Sequence, residues 1–189
     1  LRLLSIDLEL NQPSQKIIQI GACALDLKTG KINDQLSIFV NPMEKIAPEI
    51  TVLTGITQDD VDHNGYSVLE AYFLLKKFAH KNKVFKNPIV WGSGAWSDSS
   101  HLYKEASPGE SNFMGHRVID VKTIYQSIRL RNWQKTKGGL ETAMREMGLM
   151  FEGKPHNALC DAINTAKFWF YITEKLKNFG PKIRNPQDL

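Results

Sequence analysis

Cysteine is scarce in this 189-residue chain: only Cys23 and Cys160 occur, both among apolar neighbours. Two such thiols make neither a disulfide framework nor a paired zinc-type cluster, so they read as reduced core residues and set the expectation of a cytoplasmic protein. Long apolar runs are missing too. Nothing approaches the roughly 20 residues that a membrane-spanning helix needs, so no membrane partner is expected. No secretory signal stands at the start, although the chain begins at Leu1 without an initiator Met, which leaves an N-terminal address open. Charge of one sign is not abundant: 24 Lys plus Arg face 20 Asp plus Glu, and the net +4 favours a polyanionic partner only weakly. There is no internal repeat, low-complexity block or interior linker. With 42% hydrophobic residues the chain fits one α/β domain with its own core, expected over 1–178, with a C-terminal tail at 179–189.

Three strand-like segments lead, at 1–10, 16–27 and 35–40, separated by turn chemistry at Asn11-Gln12-Pro13-Ser14 and Lys28-Thr29-Gly30-Lys31. They predict an antiparallel meander. A short segment follows at 48–53. In 67–80, Leu69, Tyr72, Phe73 and Phe78 recur at helical spacing, with Ser67 as N-cap and Glu70 completing a capping box. Ile89-Val90-Trp91 after Pro88 reads as a buried strand, and Asp98 opens a helix. Residues 117–121 read as a fifth strand, 122–131 as a helix, and 140–147 as another, stopped by Gly148. The last helix should run from about Asn157 to Asn178, where Ala158, Ala162 and Ala166 let it pack closely on a sheet. Together these predict a mixed five-stranded sheet flanked by helices.

The chemistry concentrates in Asp7, Glu9, Asp98, His156 and Asp161. Leu3-Leu4-Ser5-Ile6-Asp7-Leu8-Glu9-Leu10 is an apolar strand with two carboxylates one residue apart, so both point to one face while Leu8 faces the opposite layer. Paired like charges there are costly without compensation, and a divalent cation is the simplest compensation. His156 follows Pro155 at the entrance of the last helix, with Asp161 near its first turn. Taken singly, these residues have plainer readings: a solvated pair at a strand end, a loop histidine, and, for Asp98 in Ser97-Asp98-Ser99-Ser100, an ordinary helix N-terminus.

In order and spacing, Asp7-x-Glu9, the Asp98 segment and His156-x-x-x-x-Asp161 resemble the three motifs of the DnaQ-like DEDDh exonuclease family. The connecting text is similar as well: Ile17-Ile18-Gln19-Ile20-Gly21-Ala22, Leu53-Thr54-Gly55-Ile56-Thr57, and Gly139-Leu140 through Gly148-Leu149. The resemblance covers about 3–172. It implies an RNase H-like fold and two Mg²⁺ or Mn²⁺ ions held by Asp7, Glu9, Asp98 and Asp161, with His156 as general base. The implied reaction is 3′ to 5′ hydrolysis of single-stranded or frayed DNA or RNA to nucleoside monophosphates. It also implies substrate contacts around Leu8, Leu10, Thr54 and Ile56, to which the stacking ability of an aromatic adds Trp96. Two positions depart from the pattern. Leu10-Asn11-Gln12-Pro13 stands where many relatives have Thr-Thr-Gly, and Gln19 replaces a common glutamate.

Trp91 closes its strand and reads as core. Arg129, Arg131, Lys135 and Lys137 gather around Trp133 and read equally as a solvated face or as nucleic-acid contacts, whereas Lys175, Lys177, Lys182 and Arg184 near the end read first as a solvated face and a loose tail. Two other functions stay open: a non-catalytic nucleic-acid-binding or protein-docking module on the same fold, and an enzyme for very short oligonucleotides. DNA versus RNA and any polymerase or other protein partner are equally open.

Overall fold

The structure, a computed structural model, describes residues 1–92, 97–135 and 138–176, with only the backbone of Phe85. Strands β1 (Arg2–Leu10), β2 (Ile17–Asp26) and β3 (Ile32–Phe39) form the expected antiparallel meander. Strands β4 (Val84–Val90) and β5 (Ile119–Asp120) add parallel to β1, giving the order β3-β2-β1-β4-β5. This is the mixed five-stranded sheet flanked by helices that the patterning predicts.

Strand alternation decides what each face does. Leu4, Ile6 and Leu8 pack into the layer of α3 (Val68–Asn82) and α4 (Asp98–Ala106). Leu3, Cys23 and Leu25 pack against α5 (Val121–Arg131), α6 (Leu140–Glu146) and α7 (Ala158–Leu176). Residues two apart share a face, so Asp7 and Glu9 lie on the side of Leu3, under α7. Helix α7 sits unusually close to the sheet. Ala158, Ala162 and Ala166 are fully buried, and a Cβ added at Gly21 of β2 would lie 2.0 Å from the carbonyl carbon of Ala158. Helices α1 (Pro48–Thr54) and α2 (Gln58–Asn64) close over a satellite cluster of Ile18, Ile46, Ile50, Ile56 and Val61.

Several boundaries differ from the sequence reading. Strand β3 starts at Ile32 rather than 35, because the β2 ladder extends over Ile32 and Asp34. Strand β4 starts at Val84 and contains Pro88. Its register against β1 jumps from Leu3 opposite Phe85 to Ser5 opposite Ile89, so Pro88 lies in an irregularity where its missing N–H breaks no ladder bond. Strand β5 is only two residues long, because Asp120 turns to cap α5, accepting from the Thr123 N–H at 3.1 Å. Helix α2 has no counterpart in the sequence reading. The expected helix end at 178, the tail at 179–189, Trp96, Lys137, Lys177, Lys182 and Arg184 lie outside the described residues. Among the described residues no helix is long and apolar enough to cross a membrane.

Candidate active site

Asp7 and Glu9 reach the site because β1 is pinned on both sides. Asp7 pairs with Gly21 and Glu9 with Gln19 across the β1–β2 ladder. Gln19 is buried and shares Glu9's face. Its Oε1 accepts the backbone N–H of Ala158 at 3.0 Å, and its Nε2 donates to Ser37 Oγ at 3.2 Å. It thereby satisfies one of the unpaired N–H groups at the start of α7. Asn157 satisfies another as the expected N-cap, accepting the Cys160 N–H at 3.2 Å.

The loop before α7 is equally fixed. Asn164, fully buried, donates from Nδ2 to the carbonyls of Glu152 and Cys160, both at 2.8 Å, and accepts the Glu152 N–H at 3.0 Å. The Lys167 ammonium lies 2.6 Å from the Glu152 carboxylate, and Lys154 Nζ donates to the Thr54 carbonyl at 3.1 Å. His156 ends this loop in a left-handed backbone conformation, φ 60°, and its N–H donates to Asp161 Oδ2 at 3.0 Å. One donor atom each from Glu9, His156 and Asp161 lie within 4.8 Å of one another.

Asp7, Glu9, His156 and Asp161 line one cavity of about 360 Å³, walled also by Trp91, Phe151, Pro155 and the first turn of α6 from Gly139 to Thr142. Asp98 is not in that lining. It opens α4, behind the Ser97 N-cap, and acts on the site through its charge.

The carboxyl groups hold their protons unusually tightly. Burial, then the charges of Asp98, Asp161 and Glu9, push Asp7 well above the usual carboxylate range. Burial, then Asp161 and Asp98, raises Glu9 to about 8. Burial raises Asp98 to about 7, partly offset by its own backbone N–H. Asp161 rises least, to about 6, because the His156 N–H and the histidine charge counter its burial. Four crowded acids with no basic partner among them, presenting oxygen donors beside an imidazole, suit a hard divalent cation.

The other expected contacts are placed differently from one another. Leu8 borders the cavity while its side chain packs into the opposite layer. Leu10 packs half-buried against that same layer. Thr54 is buried with its hydroxyl engaged, donating to the Ile50 carbonyl at 2.8 Å and accepting the Ile56 N–H at 3.0 Å. Ile56 belongs to the satellite cluster, and neither residue lines the cavity. Trp91 packs on Tyr125 and Phe168, as a core residue should, and also walls the cavity. Sequence reasoning missed Asn164 and Lys154. An amide three positions after Asp161, within a helix whose buried face is mostly alanine, Phe168 and Ile172, was the available signal for Asn164.

The RNase T exonuclease family is described by a sequence model that matches residues 4–169. The chain belongs to that family. The DnaQ-like, DEDDh resemblance read from the motifs holds with it. Human ERI1 exoribonuclease 2 is 28% identical over 171 residues, covering 81% of this chain and 24% of that protein. The 3′-5′ exonuclease Snipper of Drosophila melanogaster is 30% identical over 172 residues, covering 79% of this chain and 58% of Snipper. The chain thus spans less than two thirds of either relative. Among solved structures, the nuclease domain of 3′hExo, a DEDDh family member bound to rAMP, superposes with a TM-score of 0.76 at 19% identity over 92% of both chains, which shows a shared fold.

Proposed function

We propose that this chain is a metal-dependent 3′ to 5′ exonuclease that removes nucleoside monophosphates from single-stranded or frayed ends of DNA or RNA. The observation that carries the reading is the convergence of Glu9, His156 and Asp161 donors within 4.8 Å, in a nucleotide-sized cavity that Asp7 also lines. Family membership and the names of the relatives support it.

Asp7, Glu9 and Asp161 would hold one divalent cation, and Asp7 with Asp98 a second. Bound there, such ions supply neutralisation of phosphate oxygens and acidification of water. The chain's own groups do the rest. His156 is exposed on a loop fixed at Glu152 and Lys154, so its ring can meet the attacking water and take its proton. Its N–H bond to Asp161 fixes the loop backbone relative to the acids. Trp91 and Phe151 give the terminal nucleotide apolar walls.

The test is digestion of matched 5′-labelled DNA and RNA strands with Mg²⁺ or Mn²⁺. A ladder shortening from the 3′ end with monophosphate release is expected, lost in EDTA and lowered at least about a hundredfold by His156→Ala. Intact strands of both chemistries under conditions where a control exonuclease digests them defeat the reading.

A further inference from the structure

Residues 121–140 contain Lys122, Arg129, Arg131, Lys135 and Lys137 and no acid, so this stretch alone is more positive than the net +4 of the whole chain. Trp133 stands inside it, 94% exposed. Full burial of a large apolar side chain is worth about 1.5–3 kcal/mol, and here that gain is forgone. The turn that presents the indole is nevertheless well fixed. The Trp133 N–H donates to the Leu130 carbonyl at 3.0 Å, and the Gln134 N–H to the Arg129 carbonyl at 3.0 Å. Asn132 Nδ2 donates to the Ile128 carbonyl at 3.1 Å, and Arg129 Nε to the Lys135 carbonyl at 2.9 Å. Arg129 is committed to this bracing and to Glu146. Arg131 and Lys135, two residues before and two after Trp133, are both exposed.

The turn is tethered close to the active site. Gly139, six residues after Trp133, lines the catalytic cavity, so the two Cα atoms are at most about 22 Å apart. An aromatic held out by ordered backbone, with exposed cations two residues before and after it and the nearby Glu146 taken up by Arg129 and Tyr125, matches the chemistry of a single strand: a π-face for a base and positive charge for phosphates.

We propose that Trp133, Arg131 and Lys135 form a second contact for the substrate strand, in which a base upstream of the 3′ end stacks on the indole while the two cations meet adjacent phosphates. The placement relative to the 3′ end rests on the exonuclease reading. A protein partner is the weaker occupant, because this stretch offers no acid to pair with a mixed-charge surface.

The test uses Trp133→Ala and the double variant Arg131→Ala/Lys135→Ala in the full chain. Binding of a 5′-fluorescent single strand of about a dozen nucleotides is followed by anisotropy in EDTA, so the contact is read whether or not cleavage occurs. Trp133→Ala is expected to weaken binding at least about fivefold with an unchanged salt slope. The double variant should flatten the slope of log affinity against log salt by about 1.4, roughly 0.7 per lost phosphate contact. In cleavage assays with metal, KM for the long strand should rise while dinucleotide cleavage and kcat stay at wild-type values. Unchanged binding in both variants, or equal losses on dinucleotide and long strand, overturns the proposal. Wild-type protein that binds the strand but cleaves nothing overturns the exonuclease reading and leaves this contact to be decided by the binding data.

Discussion

Substituting Gly21 by Ala tests whether close contact between β2 and α7 builds the active site. A Cβ there would stand 2.0, 2.1 and 2.2 Å from the Ala158 carbonyl carbon, the Ala158 oxygen and the Leu159 nitrogen, all backbone atoms that cannot rotate away. Ordinary contact begins at 3.4 Å, so the start of α7 must retreat by about 1.4 Å or the strand must buckle. His156 lies two residues before Ala158 and Asp161 three after it, whereas Asp7 and Glu9 stay with β1. The retreat therefore opens the 4.8 Å cluster of Glu9, His156 and Asp161. Misplacement of about 1 Å at a reacting centre can lower rate about a hundredfold, so Gly21→Ala should lower kcat/KM by at least that factor. Overpacking of this kind costs about 1–3 kcal/mol, which for a chain of this size lowers Tm by about 2–12 °C. Exonuclease kinetics, differential scanning calorimetry and Mn²⁺ titration calorimetry together separate the effects: activity and Mn²⁺ affinity should fall more than global stability. A variant within twofold of wild-type activity and within about 1 °C in Tm refutes the reasoning.

Metal-free protein should lose stability as pH rises. Asp161, Asp98 and Glu9 hold protons up to about 6, 7 and 8, against about 4 to 4.5 unfolded, so over that window the native state binds more protons than the unfolded state. For Glu9 alone the loss by pH 8 is on the order of 5 kcal/mol; urea denaturation in EDTA from pH 5 to 8 checks it, and stability rising over this range contradicts it. Asn164→Leu removes the bonds that tie the Glu152 backbone to α7, at about 0.5–1.5 kcal/mol for each. Hydrogen exchange at residues 150–156 should accelerate and kcat should fall more than KM rises; unchanged exchange there counts against a positioning role for Asn164. Burial pushes the Cys23 thiol up to about 12, so at pH 8 a disulfide reagent should label it only on unfolding. Prompt labelling of both cysteines in native protein speaks against that packing.

The elements most legible in the sequence were those in which local and tertiary signals agree. Ser67 and Glu70 announce α3, and both halves of the capping box form: the Glu70 N–H reaches Ser67 Oγ, and Glu70 accepts the Ser67 N–H at 3.0 Å. The alanine spacing of α7 was readable because small residues on one stripe have few purposes other than close approach. Helix α2 carries an equally good box, Thr57 with Asp60, yet buries only Val61, so no apolar period marks it. Strand β3 shows the opposite limit. After Ile32 come three polar residues, Asn33, Asp34 and Gln35, alternating between exposed and half-buried, and they are strand because β2 offers a ladder, which no local window reveals. At the site, residue types that bear chemistry were visible, whereas those that position them were not. Gln19 stood out only as a departure from a resemblance, and its cap on Ala158 spans 139 residues of sequence.

That cap gives the departure at Gln19 a physical reading. Gln19 sits directly opposite Glu9 on the face that holds the acids. A glutamate there could accept the same Ala158 N–H, but it would add a fifth carboxylate to a cluster in which burial and mutual repulsion already raise every member. The amide keeps the acceptor, adds the donor that reaches Ser37, and contributes no charge. Within the cluster the order of proton affinity follows the same logic. Asp161 stands in the first turn of a long helix, where the backbone dipole favours negative charge, and it accepts the His156 N–H; Glu9, on a strand, has neither aid. The helix entrance therefore does two jobs with one set of backbone groups: it seats Asp161 and His156 on the sheet through Gln19 and Asn157, and it makes Asp161 the most readily ionised of the four acids.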